Sequence, residues 1–151
     1  MKYTTLLNSH PIISDQIGRP ALGVVLRELE HVLEQGIEGD IVEFGCYIGT
    51  TSVFIRRLLD EYHQSDKRIF WAYDSFAGLP DKQQADMSTV GSAFKGGELA
   101  VNKKQFLQTF HKAHLVAPHT VKGWFSDLTE AQVPQNIAFA FLDGDFYESI
   151  L

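Results

Sequence analysis

The stretch Gly39-Asp40-Ile41-Val42-Glu43-Phe44-Gly45-Cys46-Tyr47-Ile48-Gly49-Thr50 limits the folds open to this chain more than any other. A short apolar run reaches an acidic residue, then a glycine-bearing turn, then hydroxyl residues that open a helical pattern. Open α/β sheets build a nucleotide-sized crevice in this way at a strand's carboxyl end. The same pattern also serves an ordinary tight strand-to-helix turn. Its functional weight depends on what ends the later strands.

The flanking patterns supply the rest of an α/β unit. Before the stretch, Leu22, Val25, Leu26, Leu29, Val32 and Leu33 recur at helical spacing behind Pro20, which suits a first helical turn. Gly36 and Gly39 end that helix and lead into a strand over 40–44. The residues before it, with Pro11 and Gly18, show little periodicity, so 1–19 reads as an irregular amino-terminal arm and 20–151 as the domain. A second helix is expected over about 50–62, with Val53, Phe54, Leu58 and Leu59 buried and the Thr50, Thr51 and Ser52 hydroxyls near its amino end, where backbone N–H groups lack partners. A strand over 68–73 stops at Asp74.

Residues 75–101 lose all pattern, with Pro80, Gly91, Gly96 and Gly97, and read as a lid over the site. A third helix begins at Asn102, where Asn102 and Gln105 have capping-box spacing, and carries Phe106, Leu107, Phe110 and Leu115. A short strand near 120–122 runs into Gly123-Trp124-Phe125. The run 137–142 is apolar on both faces, as a parallel strand covered by helices on each side would be, and Phe139 and Phe141 read as core. Alternating strands and helices with right-handed crossovers make a doubly wound α/β sheet.

Three groups of residues could carry chemistry. Tyr47 stands where a dinucleotide fingerprint needs its second glycine, so its side chain obstructs a pyrophosphate. This disfavours a nicotinamide oxidoreductase. S-adenosylmethionine has no pyrophosphate, and its cationic sulfonium and ammonium groups suit an acidic neighbour such as Glu43. Asp74 stands where an acidic side chain can receive ribose hydroxyls, although aspartate also simply opens turns. Asp143-Gly144-Asp145-Phe146-Tyr147-Glu148 places three acidic residues at a strand's carboxyl end, enough to hold a hard cation and leave a base; Asp-Gly is also a hairpin signal, but a hairpin needs a returning strand and six residues follow Asp145, so the site reading is favoured. His111 and His114, at i, i+3 spacing, read as a solvated face rather than a metal pair, and Cys46 as a small core filler rather than a nucleophile.

Together these blocks resemble a known family. Residues 39–45, Tyr73-Asp74-Ser75-Phe76-Ala77-Gly78-Leu79-Pro80, Lys122-Gly123-Trp124-Phe125-Ser126-Asp127-Leu128 and Phe141-Leu142-Asp143-Gly144-Asp145-Phe146-Tyr147-Glu148-Ser149 are similar, in order, to the macrocin, mycinamicin and novobiocin O-methyltransferases. The resemblance implies a class I methyltransferase fold, a Rossmann-like doubly wound sheet of which the first four parallel strands are present. It implies S-adenosylmethionine as donor, a sugar or phenolic hydroxyl of a small molecule as acceptor, and a divalent metal, usually Mg2+. By position, Glu43, Gly45, Tyr47, Gly49, Thr51 and Asp74 would line the donor site, with Ser75 and Trp124 beside its ribose and adenine. Asp143 would be a metal ligand and Asp145 the base. Family members continue through a fifth strand ending in paired acidic residues, so the resemblance also implies that this chain is an amino-terminal part with an incomplete metal site. Some members use a lid histidine as base, and residues 75–101 contain none.

Bulk properties set outer bounds. A formal net charge of -6 opposes a polyanionic nucleic-acid partner. A single cysteine and an amino terminus without a signal peptide's apolar core point to the cytoplasm, and no apolar run approaches the roughly 20 residues that span a bilayer. The 137–142 strand at a sheet edge would invite pairing with a second copy, so a homo-oligomer, or a noncatalytic, partner-dependent ligand-binding module, stands as the competing expectation.

Overall fold

A computed structural model describes residues 1–76 and 103–143. Four helices are described: α1 (Lys2–Ser9), α2 (Arg19–Glu34), α3 (Thr50–Glu61) and α4 (Lys103–Lys112). Four strands accompany them: β1 (Asp40–Phe44), β2 (Phe70–Asp74), β3 (His119–Lys122) and β4 (Ile137–Leu142). Short 3-10 turns at Phe125–Asp127 and Glu130–Gln132 fill the link between β3 and β4. The strands form one parallel sheet in the order β3-β2-β1-β4. The chain therefore winds outward from β1 to β3 and returns to the far side of β1, which makes the β1/β4 junction a topological switch point. Ligands bind open α/β sheets at the carboxyl ends of strands beside such a point.

Helix α2 ends by the device its glycines predict. Gly36, at φ 66, donates to the Leu33 carbonyl at 3.2 Å, and Ile37 donates to the Val32 carbonyl at 3.2 Å, the paired bonds of a Schellman motif. Gly39 serves a different need, since a Cβ there would lie 2.7 Å from the Ala138 nitrogen. Only a glycine lets β4 approach β1 this closely.

One face of the sheet carries the main core. Leu22, Leu26, Leu29, Phe54, Leu58, Ile41, Phe70 and Phe106 are buried in it, so the apolar stripes of α2, α3 and α4 all converge there. The other face holds Val42, Tyr73 and Val121 with Phe44, Trp71 and Leu128 at their margin, and no described helix contributes to it. Tyr73 stacks on Phe44 at 4.6 Å between ring centres and donates its hydroxyl to the Gln132 carbonyl at 2.6 Å.

Two expectations are corrected. The arm is not irregular throughout: residues 2–9 form α1, which buries Leu6 and Leu7 in the main core. Its first turn is held from outside by Glu30 of α2, whose carboxylate accepts the Lys2 N–H at 2.8 Å and the Tyr3 N–H at 3.3 Å. Tyr62 adds its hydroxyl to the same carboxylate at 2.7 Å. A helix this short is marginal alone, and tertiary docking stabilises it. The second correction concerns β4, which is not buried on both faces. Phe139 and Phe141 are half-buried, and Leu142 is 55% exposed. Among the described residues β4 has β1 as its only neighbour, so it is the edge of the described sheet, with Phe139 alone of the two phenylalanines packed on the main core. The Asn102 cap and nearly all of the 75–101 segment lie outside the described residues.

Candidate functional site

Parallel register brings the acidic strand ends together. Glu43 pairs with Ala72 and Phe141, and Phe44 with Tyr73 and Leu142, so β1, β2 and β4 finish at one level. Backbone bonds then lock the exits. Gly45 donates to the Tyr73 carbonyl at 2.8 Å, Asp143 to the Phe44 carbonyl at 2.8 Å, and Gly123 to the Asp74 carbonyl at 3.0 Å. Glu43, Asp74, Asp143 and the Gly123-Trp124 turn thus share the carboxyl edge of the sheet, as their sequence positions predict.

The turn between β1 and α3 is wound through left-handed backbone at Gly45 (φ 85), Tyr47 (φ 50) and Gly49 (φ 98). Tyr47 has a Cβ, so this conformation is strained by about 1–2 kcal/mol. Asp74 offsets that strain: its Oδ2 accepts the Tyr47 N–H at 3.0 Å while Oδ1 accepts the Phe76 N–H at 2.9 Å. The carboxylate therefore ties the end of β2 to the turn after β1. Gly49 fits tightly under α4, where a Cβ would stand 3.1 Å from the Phe106 ring.

The three hydroxyls at the start of α3 are fully buried, and none caps the helix. Ser52 donates to Glu43 Oε1, Thr50 lies 2.5 Å from the Ser14 hydroxyl, and Thr51 Oγ1 has no hydrogen-bond partner among the described residues. Glu43 is itself fully buried, with its second oxygen unpartnered. Burial raises its carboxyl pKa to about 8; the Ser52 hydrogen bond opposes the rise, and repulsion from Asp143 and Asp74 adds to it. Cys46 is buried too, and burial, with Glu43 and Asp74 nearby, pushes its thiol well above the ordinary range. A thiol held protonated is a poor nucleophile, which agrees with a packing role.

The resulting edge is acidic, partly dewatered, and carries buried polar atoms that have no partner among the described residues. Such a site favours a ligand with cationic N–H groups. Each carboxylate oxygen of Asp74 can accept two hydrogen bonds and takes one backbone N–H among the described residues, a carboxylate of the kind that can also receive a pair of hydroxyls. These features fit S-adenosylmethionine. Trp124 is 38% exposed one residue beyond the Gly123 bond to β2, and Ser75 directly follows Asp74.

The metal expectation lacks this support. Asp143 is the sole described member of its acidic cluster, Asp145 and Glu148 lie outside the described residues, and no group of three His, Cys, Asp or Glu side chains among the described residues could hold an ion. One carboxylate does not make an octahedral oxygen site. His111 and His114 are both exposed on and just beyond α4. No helix among the described residues is long and apolar enough to cross a membrane.

Sequence reading missed two participants. Ser52 as the partner of Glu43 follows only once α3 is built, because the two are nine residues apart. Gln16, from the segment between α1 and α2, reaches the Cys46 carbonyl at 3.4 Å, and nothing in its local pattern signals this.

Comparison with known proteins places the same edge in a family context. Residues 10–151 match the family model described as macrocin-O-methyltransferase (TylF). The 8-demethyl-8-(2,3-dimethoxy-alpha-L-rhamnosyl)-tetracenomycin-C 4'-O-methyltransferase of Streptomyces olivaceus is 34% identical over 127 residues, covering 80% of this chain and 48% of the relative. The demethyldecarbamoylnovobiocin O-methyltransferase of Streptomyces niveus is 27% identical over 147 residues, covering 94% and 54%. Among solved structures, the O-methyltransferase NovP superposes with a TM-score of 0.73 at 27% identity, covering 88% of this chain and 57% of NovP. The calicheamicin methyltransferase CalS11, at a TM-score of 0.57 and 23% identity, shares the fold. The chain spans about half the length of the curated relatives it matches.

Proposed function

This chain belongs to the macrocin O-methyltransferase family, and from that premise we propose that it carries the donor site of an enzyme that methylates a hydroxyl of a small molecule, with S-adenosylmethionine as the methyl source. The acceptor class is a sugar or phenolic hydroxyl, in keeping with relatives named for a rhamnosyl tetracenomycin and a novobiocin precursor. The observation that carries the reading is the buried Glu43 carboxyl, half unpartnered among the described residues, at a turn where Tyr47 stands in place of the glycine that lets a backbone close on a pyrophosphate.

In this reading Glu43 and Thr51 face the amino-acid end of the donor, and Asp74 receives the ribose hydroxyls. Gly45 and Gly49 give the turn beside the ligand its left-handed backbone, Tyr47 bounds it, and Ser75 and Trp124 flank the ribose and adenine. When bound, S-adenosylmethionine supplies a sulfonium methyl, so that a carbon–oxygen bond to the acceptor forms as the carbon–sulfur bond breaks and S-adenosylhomocysteine leaves. The strand ends do the positioning: they fix the donor against the sheet edge and keep water from its charged end. The acceptor proton must go to a base, the role proposed for Asp145. A Mg2+ site including Asp143 remains part of the proposal on family grounds alone.

Isothermal titration tests the donor assignment. The folded chain is expected to bind S-adenosylhomocysteine, and a fluorescence titration with NADH to show no binding. Absence of heat with S-adenosylhomocysteine from a cooperatively folded sample would sink the reading. Saturable NADH binding would return the oxidoreductase alternative.

A further inference from the structure

The segment between α1 and α2 passes over the turn after β1 and is fastened there at two points. The Ser14 and Thr50 hydroxyls lie 2.5 Å apart, and Gln16 Nε2 donates to the Cys46 carbonyl at 3.4 Å. The Gln16 backbone N–H donates to Ser14 Oγ at 3.2 Å, closing a local turn that sets the side chain's direction. The orientation of the carboxamide follows from chemistry: a carbonyl only accepts, so the nitrogen faces Cys46 and the oxygen faces away.

That oxygen is withdrawn from water and has no hydrogen-bond partner. Among the described residues two other buried side-chain atoms share this condition, Glu43 Oε2 and Thr51 Oγ1, and all three belong to segments that meet at the β1–α3 turn. Native folds rarely leave buried polar atoms unpartnered, and three at one turn mark a place where a ligand brings the partners. Glu43 and Thr51 are accounted for by the donor site above; Gln16 is not.

We propose that Gln16 is a donor-site residue, presented by the arm rather than by a strand end, whose carboxamide oxygen accepts a hydrogen bond from the ammonium group of S-adenosylmethionine. This rests on the donor reading given under Proposed function. Three kinds of hydrogen donor exist on that ligand. The ribose hydroxyls are matched by Asp74 at the end of β2, and the adenine amino group lies at the far end of the ligand from its amino acid. The ammonium offers three N–H donors from one nitrogen, and the Gln16 oxygen and Glu43, ionised once the cation lies against it, supply acceptors at one turn to receive them. The arm thereby takes part in donor binding, and docking of α1 through Glu30 holds the segment that carries Gln16.

The test compares two probes on this chain by isothermal titration: S-adenosylhomocysteine, which has the ammonium, and 5'-methylthioadenosine, which keeps the nucleoside and lacks the amino acid. Gln16→Met preserves side-chain length and removes the amide. It is expected to weaken S-adenosylhomocysteine about tenfold or more while methylthioadenosine stays within about twofold of the wild type. Gln16→Ala is read in the same way should the methionine variant fail to unfold cooperatively. Unchanged S-adenosylhomocysteine affinity overturns the proposal. Equal loss for both probes also overturns it, because Gln16 would then merely support the turn. If the wild type binds neither probe, the donor reading itself fails and this inference falls with it, an outcome distinct from the other two.

Discussion

Replacing Glu43 by glutamine should change how stability depends on pH. Glu43 is fully buried, so solvent does not screen its charge. Its carboxyl moves from an ordinary 4.5 to about 8, and each pKa unit corresponds to about 1.36 kcal/mol, so ionising it in the fold costs about 5 kcal/mol. The sign follows from linkage. Between pH 4.5 and 8 the unfolded chain has lost this proton and the folded chain retains it, so stability falls as pH rises through that window and is fully present below it. From pH 5 to pH 7 the loss attributable to Glu43 is about 2.5 kcal/mol. Glu43→Gln keeps an oxygen for the Ser52 hydroxyl and has no proton to lose. Its absolute stability also includes a buried amide nitrogen, an offset that is the same at every pH, so the slope is the quantity to read. Urea unfolding followed by circular dichroism at pH 5, 6, 7 and 8 should show the variant gaining about 2.5 kcal/mol on the wild type between pH 5 and pH 7. Parallel profiles, with the difference constant to about 0.5 kcal/mol, would refute the reasoning and mean that Glu43 ionises as an exposed carboxylate does.

Other substitutions probe the frame around it. Gly39→Ala forces a Cβ to 2.7 Å from the Ala138 nitrogen at φ 127, so thermal unfolding should show a loss of about 2–4 kcal/mol, or roughly 5–15 °C. Glu30→Ala removes the acceptors for the first turn of α1; amide exchange at Leu6 and Leu7 should accelerate well beyond that of α3, with about 1–3 kcal/mol lost overall. Asp74→Ala should weaken both S-adenosylhomocysteine and methylthioadenosine by about tenfold to a hundredfold in isothermal titration, because it releases the Tyr47 turn and removes the ribose acceptors shared by both ligands.

The parts of this fold legible in the sequence are those written in local periodicity. The span of β1 coincides with the expected strand, and α2 ends at the glycine that the pattern marks. The acidic strand ends were legible for the same reason, since a parallel sheet must bring residues such as Glu43 and Asp74 to one edge. What escaped depends on long-range partners. Tyr3, Leu6 and Leu7 have helical spacing, but seven or eight residues do not announce a helix, and the Glu30 carboxylate that holds α1 comes from 28 positions away in the case of Lys2. For β4 the sequence supports both a run covered on each face and a strand at a sheet edge, and composition does not choose between them; among the described residues it is the edge. Gln16 sits in an aperiodic link, and only the folded arm shows its oxygen buried beside the turn.

A titration of the 15N-labelled chain with S-adenosylhomocysteine, followed by amide chemical shifts, locates the donor site residue by residue. Perturbations should concentrate at the β1–α3 turn from Gly45 to Ser52, at Asp74 to Phe76, at Gly123 and Trp124, and at Gln16. The opposite edge of the sheet has a shallow cavity of about 450 Å³ lined by Asp40, Trp71, Glu130 and Asn136, and its amides should stay still. Shifts confined to that second cavity would contradict the proposed site.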